Sequence, residues 1–104
     1  MAMRVNRTPT HPGEMLREEF LAPLGITQSG LAQILGVSFR TINELVNCRR
    51  ELSVEMALKL ARFFGTTPEL WLNLQNQFDI HVLAERKGRQ INGIKPLVQL
   101  APTR

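Results

Sequence analysis

Cysteine is almost absent from this chain: Cys48 is the only one, so no disulfide can form within the chain. A cysteine-rich zinc site is excluded for the same reason. The two histidines, His11 and His81, are far apart in sequence and have no cysteine at ligand spacing, so they do not specify a metal site. We therefore expect no bound metal, and a reducing cytoplasm as the compartment.

Long apolar runs are also lacking. No stretch approaches the roughly 18 apolar residues that a membrane helix needs, and residues 1–12 do not have the pattern of a secretory signal. There is no glycine-rich phosphate loop and no nucleophile elbow. A chain of 104 residues forms one small domain, in which a catalytic pocket would compete with the core for side chains. The sequence thus predicts no membrane partner, no cofactor and no enzyme.

The net charge of +4 is unevenly distributed. Residues 1–12 carry two arginines and no acid, residues 86–104 carry five basic residues and no acid, and residues 13–85 carry a net charge of −3. The central part is mildly acidic, so net charge alone does not indicate nucleic-acid binding. Only a local basic patch could do so.

Helix start and stop signals are what the sequence contains in abundance. His11-Pro12-Gly13-Glu14 predicts the start of a first helix, which Pro23 and Gly25 end. Four further helices have as predicted N-caps Thr27, Ser38, Ser53 and Thr67, and end at Gly36, about Asn47, Gly65 and Gly88. Their apolar positions include Ile34 and Phe63. We expect an all-α five-helix domain over residues 11–88, an N-terminal arm over 1–10 and a basic tail over 89–104.

The segment from Gln28 to Leu45 has the spacing of a helix-turn-helix. Ala32 permits a close helix crossing, Gly36 tolerates the positive φ of a sharp turn, and Ile42 fills the angle between the helices. The same spacing occurs in simple packing corners, but here the outward face carries arginine and asparagine, which read guanine and adenine in the DNA major groove. The predicted DNA-binding residues are Gln28, Ser38, Phe39, Arg40, Thr41, Asn43, Asn47, Arg49 and Arg50.

Two residues of this face leave alternatives open. Phe39 fits either against a thymine methyl group or against the first helices of its own chain. Glu44 would repel phosphates unless it accepts a hydrogen bond from a cytosine amine or pairs with Arg40, one helical turn away. We favour the pairing with Arg40 in the free protein.

Two other surfaces are candidates for protein contacts. Acidic residues Glu14, Glu18 and Glu19 on the first helix form either a solvated face or a binding site for a basic partner. On the fifth helix, Trp71 either closes the core, the interpretation we favour, or takes part in a dimer contact. The candidate dimer residues are Trp71, Leu74, Phe78, Ile80 and Leu83. Sparse charge and several aliphatic residues in the tail slightly favour protein contact over DNA contact.

Segments at both ends of the domain resemble one family. They are His11-Pro12-Gly13-Glu14-Met15-Leu16 at the start and Pro68-Glu69-Leu70-Trp71-Leu72-Asn73-Leu74-Gln75, followed by Asp79, in the fifth helix. Both are similar to the HigA antitoxins, which are Cro/C1-type (xenobiotic-response-element) helix-turn-helix repressors with a lambda-repressor-like bundle. The resemblance covers about residues 11–80, and the tail beyond Gly88 departs from it.

The resemblance implies a function that composition and spacing do not. Such a protein binds a small, basic, mRNA-cleaving toxin from its own operon and represses that operon as a homodimer on a DNA palindrome. By position, the recognition face is Ser38, Phe39, Arg40 and Asn43, with Gln28 and Thr41 near phosphates. The alternatives are a free-standing repressor without a toxin, and a protein-interaction module whose helix-turn-helix no longer binds DNA.

Overall fold

A computed structural model describes the backbone of residues 8–100 and the side chains of residues 8–98. The first helix, α1, covers residues 12–24 in three parts: Pro12–Met15, a π-helical segment Leu16–Leu21, and Ala22–Leu24. The others are α2 (Gln28–Leu35), α3 (Phe39–Val46), α4 (Val54–Phe64), α5 (Pro68–Asn92) and the short α6 (Leu97–Leu100). Residues 8–100 contain no strand, which confirms the all-α prediction for this part of the chain.

Side-chain caps start the helices where the sequence predicted them. The hydroxyl oxygens of Thr27, Ser38, Ser53 and Thr67 each accept a hydrogen bond from the backbone N–H three residues later, over 2.9, 3.1, 3.1 and 3.2 Å. His11 starts α1 in a similar way, since its Nδ1 accepts from the N–H of Gly13 over 2.9 Å. Each cap satisfies a donor that the first helical turn leaves unpaired.

Of the two residues predicted to end α1, Gly25 does so and Pro23 does not. The helix continues through Pro23 to Leu24, and Gly25 ends it in the left-handed region with φ of 67°. Proline cannot donate a backbone hydrogen bond, and its ring crowds the carbonyl one turn earlier. The π-helical turn immediately before it, in which the N–H of Ala22 bonds to the carbonyl of Arg17, widens the helix at that point.

The core lies between α1, α2, α3, α4 and the first half of α5. Trp71 is its largest fully buried side chain; its indole Nε1 donates to Thr66 Oγ1 over 2.7 Å, and its ring packs near Phe20 and Phe64. Two apolar positions of the predicted helices lie outside this core instead, because Ile34 is 53% exposed and Phe63 40% exposed. A helical period predicts which face is apolar but not how much of that face the neighbours cover.

The fifth helix is longer than predicted. It passes Gly88 with a local break at Lys87 (φ −118°, ψ 17°) and ends at Asn92, before Gly93. Residues 89–92 are therefore helical, and Leu97–Leu100 form another short helix, so the predicted tail contains helical stretches although its sequence has no helical period. Most of the predicted N-terminal arm, residues 1–7, and the last four residues of the predicted tail lie outside the described part.

Candidate nucleic-acid interface

Helices α2 and α3 form the predicted helix-turn-helix. Ala32 is buried at their crossing, and Gly36 ends α2 in the left-handed region with φ of 70°. The N–H of Val37 then donates to the carbonyl of Ala32 over 3.0 Å, which closes the turn. Ile42 is fully buried against α2, so the opposite face of α3 is turned outward.

Helix α1 packs against the recognition helix α3. The N-terminal turn of α1 packs so closely against α3 that a Cβ at Gly13 would overlap the carbonyl of Leu45. At the C-terminal end of α3, Arg17 Nη1 donates to the carbonyl of Val46 over 2.9 Å. A cation at this end also complements the helix dipole. This contact could not be predicted from the sequence, because 29 residues separate its partners.

The outward face of α3 presents four of the predicted DNA-contacting residues to solvent. The Arg40 side chain is 82% exposed, Phe39 is 51% exposed, and Ser38 and Asn47 are also exposed. About half of the Phe39 side chain is thus available for contact with DNA. Thr41 is half-buried, and its hydroxyl lies 2.9 Å from that of Ser38.

Two polar side chains of the face are fixed by one hydrogen bond. Asn43 Nδ2 donates to Gln28 Oε1 over 3.0 Å, joining the middle of α3 to the start of α2. The bond uses the acceptor of Gln28 and leaves its Nε2 available to donate to a phosphate at the N-terminus of α2. Asn47, at the end of α3, uses its own Nδ2 on the carbonyl of Asn43 over 2.9 Å.

Glu44 is neutralised by two arginines of the same surface. Its carboxylate accepts from Arg40 Nε over 2.8 Å and from Arg50 Nε and Nη2 over 3.1 and 2.9 Å. Hydrogen bonding from Arg40, and then from Arg50, lowers the pKa of Glu44 from its ordinary value. The pairing predicted with Arg40 is confirmed. The contact with Arg50 has no helical spacing and was not predicted.

The loop after α3, residues 47–53, carries Arg49 and Arg50, both exposed. Near its start, Cys48 lies in the left-handed region, with φ of 60°. Near its end, Leu52 is 5% exposed and its N–H donates to Gln75 Oε1 over 2.8 Å. Gln75 Nε2 in turn donates to Asp79 Oδ1 over 2.9 Å. The loop's two exposed arginines thus lie between two anchored ends.

The candidate protein-contact residues lie in different environments. Trp71 is fully buried inside its own chain, so its proposed part in a dimer contact is wrong: it has no surface to offer a second copy. Leu74 and Phe78 are half-buried, while Ile80 and Leu83 are 67% and 45% exposed. Glu14, Glu18 and Glu19 border an open groove whose other lining residues include Met15, Phe20 and Leu74. Glu18 forms an ion pair with Arg17 Nε over 3.0 Å.

Other kinds of site are not evident in residues 8–100. Within this range, no three metal-ligating side chains come together. None of the described helices is long and apolar enough to cross a bilayer.

Two helices crossing at a buried alanine and a left-handed glycine, with an exposed arginine- and asparagine-bearing second helix, define a helix-turn-helix protein. Residues 16–71 match the family model described as helix-turn-helix. The chain belongs to this family and, within it, groups with the HigA antitoxins that its terminal segments resemble.

Three similar proteins illustrate the relationship. An uncharacterized HTH-type transcriptional regulator of Haemophilus influenzae is 47% identical over 94 residues, which are 88% of each chain. Antitoxin HigA-1 of Vibrio cholerae is 40% identical over 94 residues, 90% of this chain and 89% of the relative. The Pseudomonas aeruginosa antitoxin HigA, solved with the higBA promoter, is 41% identical with a TM-score of 0.82, covering 86% of this chain and 98% of that one.

Proposed function

We propose that this protein is the antitoxin of a type II toxin–antitoxin pair, which represses its own operon through α3 in the DNA major groove. It also neutralises a small mRNA-cleaving toxin by direct binding. The observation that carries the proposal is the exposed face of α3, with Asn43 already oriented by Gln28. It is supported by the 41% identity to an antitoxin solved with promoter DNA.

On DNA, the residues of the interface divide into a group that reads bases and a group that contacts phosphates. Ser38, Phe39, Arg40 and Asn43 face base edges, with Arg40 as the strongest reader because guanidinium groups bind guanine in a bidentate way. Phosphates are contacted by residues that flank this face: Gln28, Thr41, Asn47, Arg49 and Arg50.

A homodimer completes the DNA site. One recognition helix alone buries too little surface for specific binding at cellular salt, and two copies spaced about 34 Å apart read a palindrome. Ile80 and Leu83 are the exposed apolar residues of α5 that suit this contact, with the half-buried Leu74 and Phe78 beside them. Their burial against a second copy removes apolar surface from water.

For the toxin, the acidic groove of α1 is the proposed binding surface. Nucleases that bind RNA phosphates are basic, and Glu14, Glu18 and Glu19 offer the opposite charge beside apolar Met15 and Phe20. A protein with operator DNA and such a toxin as its partners acts in the cytoplasm.

The test is to express the protein from its native locus, isolate it and identify what co-purifies by mass spectrometry. A stoichiometric small basic protein whose expression alone stops growth supports the antitoxin assignment. A homodimer alone that still binds its own promoter supports the free-standing repressor. Absence of salt-dependent promoter binding contradicts both.

A further inference from the structure

Gln75 is a buried polar side chain that the proposed function does not use. It lies on α5 with 5% of its surface exposed, and its amide bridges two parts of the chain 23 residues apart. Resting on the proposed DNA binding, we propose that Gln75, oriented by Asp79, is a positioning residue for the loop that presents Arg49 and Arg50 to the DNA backbone.

The loop needs an anchor at each end. Two backbone hydrogen bonds connect its beginning to α3. The N–H of Cys48 donates to the carbonyl of Leu45 over 3.0 Å, and the N–H of Arg49 donates to the backbone carbonyl of Glu44 over 2.8 Å. Its end is tied to α5 through the N–H of Leu52 and Gln75 Oε1, at 2.8 Å. The anchors fix the backbone on both sides of the two arginines. A fixed backbone limits the positions that their side chains can reach.

Asp79 determines which way the amide of Gln75 points. An amide turned by 180° would present its NH₂ group to the N–H of Leu52, a donor facing a donor. The carboxylate of Asp79, one helical turn further on, accepts from Gln75 Nε2 over 2.9 Å and so leaves Oε1 for Leu52. Asp79 therefore maintains the loop anchor without touching the loop hydrogen bond itself.

The consequence for DNA binding is independent of base sequence. Arginines on an anchored loop lose little conformational freedom when they contact phosphates, whereas arginines on a loosened loop lose more and so make these contacts in only a fraction of the complexes. Phosphate contacts release counterions, so each lost contact reduces the slope of log affinity against log salt by about 0.9. A loosened loop should thus lower the affinity for every duplex and flatten its salt dependence.

The decisive variant is Gln75→Met, which keeps the side-chain length but removes the amide. Its matched control is Gln90→Met, the same change at an exposed position of α5. Full-length wild type and both variants are titrated with promoter duplex and with an unrelated duplex from about 50 to 200 mM salt. Folding is checked by circular dichroism and by the fluorescence of the buried Trp71.

For Gln75→Met we expect about three- to tenfold weaker binding to both duplexes, and a salt slope lower by about 1 to 2. Gln90→Met should match wild type. The double variant Gln75→Glu/Asp79→Asn should restore both quantities, because the introduced carboxylate would accept from the N–H of Leu52 and the introduced amide would donate to that carboxylate. A folded Gln75→Met with wild-type affinity and slope overturns the proposal, as does a double variant no better than Gln75→Met.

A second single variant covers the case in which Gln75→Met does not fold. Asp79→Ala, at a half-buried position, frees the amide to turn and should lower affinity and slope in the same direction by a smaller amount. Wild-type values in a folded Asp79→Ala overturn the proposal. Failure of wild type itself to bind promoter DNA in a salt-dependent way contradicts the proposed function instead, which separates the two outcomes.

Discussion

Asn43 and Gln28 are joined by a hydrogen bond of 3.0 Å between the recognition helix and the first residue of the helix before it. In the proposed DNA complex, a base-reading residue is therefore oriented by a residue that contacts a phosphate. The bond restricts the Asn43 side chain before DNA arrives, so less conformational entropy is lost upon binding. It also couples the two contacts energetically, because neither residue can be removed without freeing the other.

This coupling predicts non-additive mutational effects. Gln28→Ala and Asn43→Ala should each weaken promoter binding, and the double variant should lose less than the sum of the two single changes. The expected interaction energy is about 0.5–3 kcal/mol, as is usual for residues that share a hydrogen bond. A double-mutant cycle on promoter affinity measures it, with Gln33→Ala, an exposed glutamine of the same helix, as control. Additive effects would show that the bond is not kept on DNA.

Substitution of Arg40 and substitution of Arg49 should affect DNA binding in different ways. Arg40→Ala is expected to cost roughly 1–3 kcal/mol on the promoter and little on unrelated DNA, because it removes a base contact. Arg49→Ala should weaken both duplexes alike and reduce the salt slope by about 1, because it removes a phosphate contact. Competition titrations with both duplexes make the comparison. Promoter binding by Arg40→Ala equal to wild type would show that the groove assignment is wrong.

Local chemistry explains what could be predicted from the sequence. Thr27, Ser38, Ser53 and Thr67 start helices because a hydroxyl three residues before a free N–H satisfies it, whatever the tertiary context. The spacing of the helix-turn-helix, which depends on a short segment, was predicted for the same reason. The pairing of Arg40 with Glu44 followed from helical geometry alone.

Contacts between distant polar residues could not be predicted in this way. The bonds from Arg17 to Val46 and from Leu52 to Gln75 join residues 29 and 23 positions apart, and no sequence period marks them. A glutamine one turn after Trp71 on a buried stripe was the available signal for Gln75. The extension of α5 through Gly88 was missed because a glycine costs an exposed helix only about 1 kcal/mol, which is too little to end it.

The His11 cap should make stability depend on pH. Burial lowers the pKa of His11 below its ordinary 6.5, and this effect outweighs the nearby charges of Asp79 and Glu14, which raise it. The unfolded chain therefore takes up the proton more readily, so the free energy of unfolding falls as the pH drops below about 6.5. Protonation also removes the Nδ1 acceptor from the N–H of Gly13.

Urea unfolding at a series of pH values between about 7 and 5 tests this. The variant His11→Asn retains a capping oxygen but has no group that titrates in this range. We expect wild type to lose more stability than His11→Asn as the pH falls. Parallel pH profiles for the two proteins would show that His11 does not contribute to the pH dependence.

The acidic groove of α1 should distinguish its three glutamates in toxin binding. Glu18 already pairs with Arg17 over 3.0 Å, and Glu14 is half-buried, which leaves Glu19 as the exposed carboxylate with no ion pair among the described residues. Glu19→Lys should therefore slow association with a basic toxin by about three- to tenfold, and the effect should shrink at high salt because charge at an interface rim acts on encounter. Glu18→Lys should have a smaller effect, because Arg17 already offsets much of the charge that is reversed. Stopped-flow mixing with the purified toxin measures both association rates. Glu69→Lys on α5 is the control for the change in net charge. Equal association rates for all three variants would exclude α1 as the toxin-binding surface.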